Sequence, residues 1–363
     1  MGRDARAETG GPVDTVDAPD LAEPVVRPIA SSDGDRWNAY VLGHPDGTFF
    51  HLVEWKTVIE RAFGHATYYL VAERGQDVCG VLPLGRIRSR LFGDSLVSTP
   101  FCVYGGVLSS DGHAAAALDR AAVGLAQRLG VGHLELRNRR RVHTDRPCKD
   151  LYVTFRRELA PDVDANLARI PRKQRAMVRK AIAAGLAGEI ETDLDRFYRI
   201  YAQSVQSLGT PVFSKRYFRV LRETFGERCE MLTIRHQGRP ISSVMSFYFR
   251  DEVLPYYGGG TAESRGVAGS DFLYWDLMRR ACERGVRVFD FGRSKREVGS
   301  YHFKRHWGFD PEPLFYEVQL VRAQSVPDVS PLNPRYRLFI DTWKRLPYTV
   351  STVVGPWISR NLG

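Results

Sequence analysis

The densest chemistry in this 363-residue chain lies between Asp290 and Trp307. Asp290-Phe-Gly-Arg-Ser-Lys-Arg closes an apolar run, and Arg293 to His306 then holds five Lys or Arg and two His against a single acid, Glu297. Tyr301, Phe303 and Trp307 are interleaved with these charges, a pattern too aromatic for a merely solvated face. Arg293, Lys295 and Lys304 suit a carboxylate, a phosphate or the negative charge that grows on a carbonyl oxygen under attack. Asp290 is placed to orient Arg293 or Lys304, to accept a proton from an amine, or to form a structural ion pair. If the segment is extended, Phe303 points to the face opposite Lys304 and His302. If it is helical, Lys304 sits near Tyr301 and leaves Phe303 and Trp307 on a packed face. The Asp-Phe-Gly triplet also invites a kinase reading, which fails for want of a Gly-rich loop, a strand lysine and an H-R-D loop.

Two further stretches can contact a reacting group. Tyr256-Tyr257-Gly258-Gly259-Gly260 ends a strand-like run. Its glycines allow the main chain to approach a ligand and offer N–H groups to an oxyanion, or else they make a tight turn. Tyr257 can manage protons and Tyr256 can line a substrate. Arg265-Gly266-Val-Ala-Gly269-Ser270 precedes a helix whose N-terminus could take a pyrophosphate. Asp271 works against an anion there, and Ser270 or Asp271 reads equally as an N-cap.

The elements that must position these groups recur in order. A helix from Glu54 to Phe63 closing on Gly64 matches Tyr217 to Phe225 closing on Gly226. Each is followed by a hairpin, then by a strand ending on glycines: Phe101 to Gly106 in one copy, Leu254 to Gly260 in the other. A long helix closing on Gly130 or Gly285 and a buried strand, His133 to Arg137 or Arg287 to Phe291, complete each unit. The first copy lacks the Phe303-Lys304 segment, so it reads as scaffold and as one wall of a cleft. Domain limits are expected at 1–30 (a flexible leader), 31–160, 161–322 and 323–363, the last a C-terminal extension. Residues 165 to 188 carry six bases and no acid, giving one basic helix. Arg172, Lys173 and Arg175 on it, with the run Arg137 to Arg141, could follow the phosphates of an RNA or remain a solvated face.

This element order resembles the GNAT acyltransferase fold, and the whole chain resembles the FemAB-related, Fem-like peptidyltransferases built of tandem GNAT domains. Arg175-Ala-Met-Val-Arg-Lys-Ala, Leu208-Gly-Thr-Pro-Val-Phe, Tyr256-Tyr-Gly-Gly, Asp290-Phe-Gly-Arg-Ser and Phe303-Lys-Arg-His-Trp-Gly carry the likeness. It is nearest to the FemAB-related proteins found beside exosortase (PEP-CTERM) and exopolysaccharide systems, although the long coiled-coil arm of Fem proteins is missing. The resemblance implies an α/β (mixed α+β) fold of two duplicated units, each a mixed sheet flanked by helices. It also implies transfer of an aminoacyl or acyl group to an amine of an envelope or exopolysaccharide precursor. The donor would be aminoacyl-tRNA or acyl-CoA, and Lys304 would stand in the catalytic channel. Catalytic candidates are therefore Lys304, Asp290 and Tyr257. Candidate substrate contacts are Arg293, Lys295, Tyr256, Tyr301 and His302. Candidate donor contacts are Arg265, Gly266, Gly269, Ser270, Arg172, Lys173 and Arg175. The rival readings are an acyl-CoA- or carrier-dependent enzyme on a sugar amine or amino acid, and a non-catalytic binder of a synthesis complex.

Composition sets the remaining bounds. A hydrophobic share of 43% allows buried cores, and a net charge of +10 predicts an anionic partner. Five separated cysteines without a C-x-x-C pair argue against a disulfide framework and a zinc site. No metal-ligand spacing, secretory h-region or membrane-spanning run is present. A cytoplasmic enzyme without a tightly bound cofactor or DNA partner follows. The tail from Tyr336 to Ile358 is apolar and basic enough to touch the inner face of a membrane, or else covers its own domain.

Overall fold

Apolar residues at helical spacing bury Trp55, Val58, Ile59 and Phe63 on one face of helix Glu54–Phe63, which ends where Gly64 turns left-handed (φ 70°). Helix Lys215–Phe225 does the same with Tyr217, Phe218, Leu221 and Phe225. The two helices pack together, and their contacts are reciprocal. Phe63 meets Tyr217 at 4.7 Å between ring centres, Trp55 meets Phe225 at 5.2 Å, and Arg61 pairs with Glu223, 162 residues further on. Such reciprocity is what a local two-fold axis produces. The computed structural model describes residues 22–89, 92–326 and 337–362, and its largest core is shared by the two halves around this helix pair.

In the second half a six-stranded sheet runs in the order Arg156–Glu158, Val288–Asp290, Glu252–Gly260, Arg239–Phe249, Cys229–His236, Ala187–Ile190. In the first half a four-stranded sheet (Val25–Pro28, Leu70–Arg74, Asp77–Leu82, Leu108–Ser109) stands beside a five-stranded one. The latter contains Leu84–Ser89, Gly93–Ser98, His133–Asn138, Phe315–Leu320 and Cys148–Lys149. The linear split near residue 160 is crossed in both directions. Phe315–Leu320 comes from the end of the second copy but pairs along its length with His133–Asn138. Arg156–Glu158, from the end of the first copy, pairs with Val288–Asp290.

Several local expectations change. Val25–Pro28 lies in the segment expected as a leader but pairs with Leu70–Arg74, while residues 1–21 lie outside the described residues. Phe101 to Gly106 is not a strand. Thr99 and Phe101 take positive φ, and the N–H groups of Gly105 and Gly106 both donate to the Arg137 carbonyl, which ties the segment to strand His133–Asn138. The basic helix is two helices, Val163–Arg169 and Arg172–Ala183. Pro171 separates them because it forces Ile170 into extended backbone. Beyond Ala183 the chain becomes the strand Ala187–Ile190. Beyond residue 336 the chain forms two helices, Arg337–Lys344 and, behind Pro347, Tyr348–Ser359.

Candidate functional site

Strands Glu252–Gly260 and Val288–Asp290 run parallel for two residue pairs only, Glu252 with Val288 and Val253 with Phe289, and then separate. Their diverging ends open a cleft of about 370 Å³. On the other side of Glu252–Gly260 the register skips Tyr256, because Met245 pairs with Tyr257 and Ser246 with Pro255. A bulge of this kind re-aims side chains toward a site, and Pro255, Tyr256, Tyr257 and Gly258 all border the cleft.

The facing wall is the turn after Val288–Asp290. Gly292 takes a positive φ of 67°, and its N–H donates to the Asp290 carboxylate at 2.7 Å. Helix Gly299–His306 then brings Lys304 back over this turn, as the helical alternative for the segment requires. Lys304 Nζ donates to the Gly292 carbonyl at 2.9 Å and the Arg293 carbonyl at 3.1 Å. It lies 5.5 Å from the Phe155 ring centre and is almost wholly buried. Burial drives its pKa down to about 7; Asp290 works against that shift, and Arg293 adds to it.

The first half supplies the remaining wall. Strand His133–Asn138 places Glu135 and Arg137 on one face, and Arg137 Nε donates to Glu135 at 2.9 Å. Lys149 Nζ donates to the other carboxylate oxygen at 2.6 Å. Burial alone would raise the Glu135 carboxyl, yet Arg137 and Lys149 hold it down to about 2. Arg293 donates to the Tyr316 hydroxyl at 3.0 Å and lies 4.6 Å from the Tyr152 ring centre, while Tyr316 donates to the Val103 carbonyl. Arg137, Lys149, Arg293 and Lys304 thus face Glu135 across one space, a balance that favours an anionic group on a bound ligand.

The expected site residues divide accordingly. Lys304, Arg293, Tyr256 and Tyr257 border the cleft together. The Tyr257 hydroxyl is paired with that of Tyr217 at 2.6 Å, and burial pushes both phenols well above their ordinary range. Asp290 does not border the cleft. It is 0% exposed and is held by Tyr104, by Thr154 at 3.3 Å, by the Gly292 N–H and by an ion pair to Arg156 at 3.2 Å. Its geometry is that of a support for the Gly292 turn. Lys295 stands just outside the cleft, its Nζ 5.8 Å from the Tyr152 ring centre. Tyr301 is buried against Phe155, and His302 is exposed beside Glu297.

The donor candidates lie apart from the cleft lining. Arg265 and Gly266 are exposed on helix Ala262–Gly266, whose end accepts a hydrogen bond from Lys180. Helix Gly269–Glu283 is capped by Ala268 in a left-handed conformation, so neither Ser270 nor Asp271 is the N-cap. Asp271 is instead buried and accepts from Trp307 Nε1 at 3.3 Å and from Gln174. Arg172 and Lys173 are exposed, and Arg175 donates to the Ala168 carbonyl. Arg137 was grouped with an exposed basic run, but it is buried in the cleft wall. Gly259 and Gly260 lie within their strand rather than in a turn. A Cβ at Gly259 would meet Ser204 at 2.4 Å, and one at Gly260 would meet Ser264 at 2.8 Å.

Glu135, Lys149, Tyr152 and Tyr316 were not foreseen. The first could have been found from Glu135-Leu-Arg137, where alternate positions of an apolar strand carry opposite charges on one face. A second cleft, about 540 Å³, opens in the first half beside His44, His51 and Arg139. It is larger, but of the residues expected to contact a ligand only Arg137, Arg139 and Arg140 of the basic run border it. The smaller cleft is the candidate site because the buried lysine and its carbonyl partners lie there.

Residues 172–305 match the family model described as Acetyltransferase (GNAT) domain. Among the curated proteins no sequence matches significantly. Among solved structures, FemX is similar at 15% identity with a TM-score of 0.64, over 87% of this chain and 100% of that one. A tandem GNAT protein from the clavulanic acid biosynthesis pathway is similar at 15% identity with a TM-score of 0.52, over 84% of this chain and 100% of its own. The chain therefore carries a GNAT acetyltransferase domain in its second half and has the α/β tandem GNAT fold as a whole.

Proposed function

We propose that this protein is an N-acyltransferase that forms an amide between an acyl or aminoacyl group and an amine carried by an anionic acceptor. The carrying observation is the buried Lys304 ammonium, fixed by the Gly292 and Arg293 carbonyls at the edge of a cationic cleft. In the step, the amine nitrogen attacks the donor carbonyl carbon. One C–N bond forms, one C–S or C–O bond breaks, and the amine proton ends on the departing thiol or ribose hydroxyl. Lys304 faces the oxygen that becomes negative, where a fixed donor in a dry site acts most strongly. Arg293, with Arg137 behind it, holds the acceptor's carboxylate or phosphate.

The family resemblance carries the acceptor class, an amine of a cell-envelope or exopolysaccharide precursor handled on the cytoplasmic side, and the affinity to the PEP-CTERM-associated proteins. The matched GNAT domain favours acyl-CoA as donor. Exposed Arg172, Lys173 and Arg179 favour aminoacyl-tRNA. Incubating the full chain with labelled acetyl-CoA and, separately, labelled aminoacyl-tRNA, against a panel of amino sugars and amino acids, tests the reading. A labelled amide with either donor supports it and names the donor. Silence with both, in a chain that still binds one of them, overturns it in favour of a non-catalytic binder.

A further inference from the structure

The last helix of the chain is built inside out. Tyr348–Ser359 has no charged residue, and the face it buries is made of small ones: Ser351, Gly355 and Ser359, spaced four apart. Ser359 Oγ donates to the Val212 carbonyl at 3.1 Å, and a Cβ on Gly355 would meet Val212 at 3.0 Å. That close seat turns the large apolar side chains outward. Val353 is 75% exposed and Trp357 60%, with Val350 and Val354 beside them at helical spacing. A helix covering its own domain does the reverse, putting its apolar stripe inward. An outward apolar stripe marks a surface that docks onto something.

We infer that this face seats on an anionic membrane surface. Lys344 and Arg345 stand just before the helix and Arg360 just after it, while the chain has no acid beyond Asp341. Arg199 and Lys215 add positive charge near the Tyr348 hydroxyl, with Asp195 as the opposing acid there. An apolar stripe between cationic ends is the composition of a helix lying in the headgroup region of acidic lipid. A second copy of the chain is a poorer occupant, since pairing this face with itself sets Lys344 and Arg345 against Arg360 with no carboxylate on the helix to offset them. Among the described residues no helix is long and apolar enough to cross a membrane, so the contact is with one leaflet. Leu362 borders the Lys304 cleft, so seating this helix brings the cleft's rim to the lipid surface. The inference does not depend on the acyl-transfer reading.

Co-sedimentation of the full chain with sucrose-loaded vesicles tests it. Binding is expected to phosphatidylcholine vesicles containing phosphatidylglycerol, weakening as NaCl is raised, with little binding to phosphatidylcholine alone. Val353→Glu/Trp357→Glu should lower that binding at least about tenfold without moving the thermal midpoint, since both side chains are exposed. Lys344→Glu/Arg345→Glu should remove the preference for the anionic lipid. Absence of binding to either vesicle overturns the proposal, as does equal binding by the Val353/Trp357 variant. Light scattering that shows a dimer dissolved by that variant overturns it in favour of a self-interface.

Discussion

Lys304 and Gly292 are joined by a 2.9 Å hydrogen bond from Nζ to the main-chain carbonyl, and the N–H of the same glycine is held by Asp290 at 2.7 Å. One residue thus couples a buried carboxylate to a buried amine. Asp290 does not border the ligand space, but it shapes the turn that aims Lys304 and supplies the negative charge that resists the lysine's loss of its proton. In the proposed acyl transfer Asp290 is therefore a positioning residue, and Lys304 is the group that would face the reacting carbonyl.

The first prediction is a pH profile. If the ammonium form of Lys304 is the active one, kcat/KM has a limb that falls as pH rises through about 7. Asp290→Asn removes the charge that raises the lysine's pKa and should move that limb toward acid by up to about one pH unit. A profile in which the limb stays in place in Asp290→Asn would remove the positioning role.

The second concerns stability. Burial lowers the Lys304 pKa to about 7 from 10.5, so between those values the unfolded chain holds a proton that the folded one has shed. Folding stability attributable to this residue therefore rises with pH across that window, and the penalty is full below pH 7. Lys304→Met, which carries no charge, should gain on the native chain most at pH 6 and lose that advantage by pH 10. Denaturant unfolding at the two pH values measures it, and a pH-independent difference would speak against a perturbed lysine.

Glu135 provides a third test. It is paired with both Arg137 and Lys149, all three border the cleft, and it is the one acid among the described lining residues. Glu135→Gln leaves two cations without their partner and should cost roughly 3–5 kcal/mol in unfolding free energy. The native carboxyl is held down to about 2, so its contribution is complete above the ordinary carboxylate pKa and fades as pH falls toward 2. Urea titrations of both proteins should show a smaller difference at pH 3 than at pH 7.

Tyr257→Phe is the fourth. The hydroxyl is tied to Tyr217 inside an aromatic cluster, and burial keeps it protonated. Its removal should cost on the order of 1 kcal/mol of stability. Turnover should stay within about threefold, well short of the loss expected for a general base. A hundredfold fall in kcat would return Tyr257 to the catalytic set.

The duplication was legible because helical spacing and closing glycines are local signals: the helices ending at Gly64, Gly226 and Gly130 stand where the apolar pattern puts them. Lys304 was singled out by the aromatics interleaved around it and by the family resemblance, and the structure buries it at the edge of the cleft. The exchange of Phe315–Leu320 and Arg156–Glu158 between the halves was not, since strand partners are chosen by packing over long separations. Tyr316 and Lys149 reach the cleft only through that exchange, so no spacing could reveal them. Phe101 to Gly106 misled for another reason. Its apolar residues read as a strand, but Thr99 and Phe101 take positive φ, and Gly105 and Gly106 bond to the Arg137 carbonyl, a partner over thirty residues away.

Amide formation in a single turnover by the native chain and by Lys304→Ala, each with acetyl-CoA and with aminoacyl-tRNA, bears most directly on the central claim. The donor that supports transfer in the native chain should give a rate at least about a hundredfold lower in Lys304→Ala, with the thermal transition of the variant no lower than that of the native protein at pH 7. A folded Lys304→Ala chain that transfers at the native rate would contradict the assignment of this cleft as the site of acyl transfer.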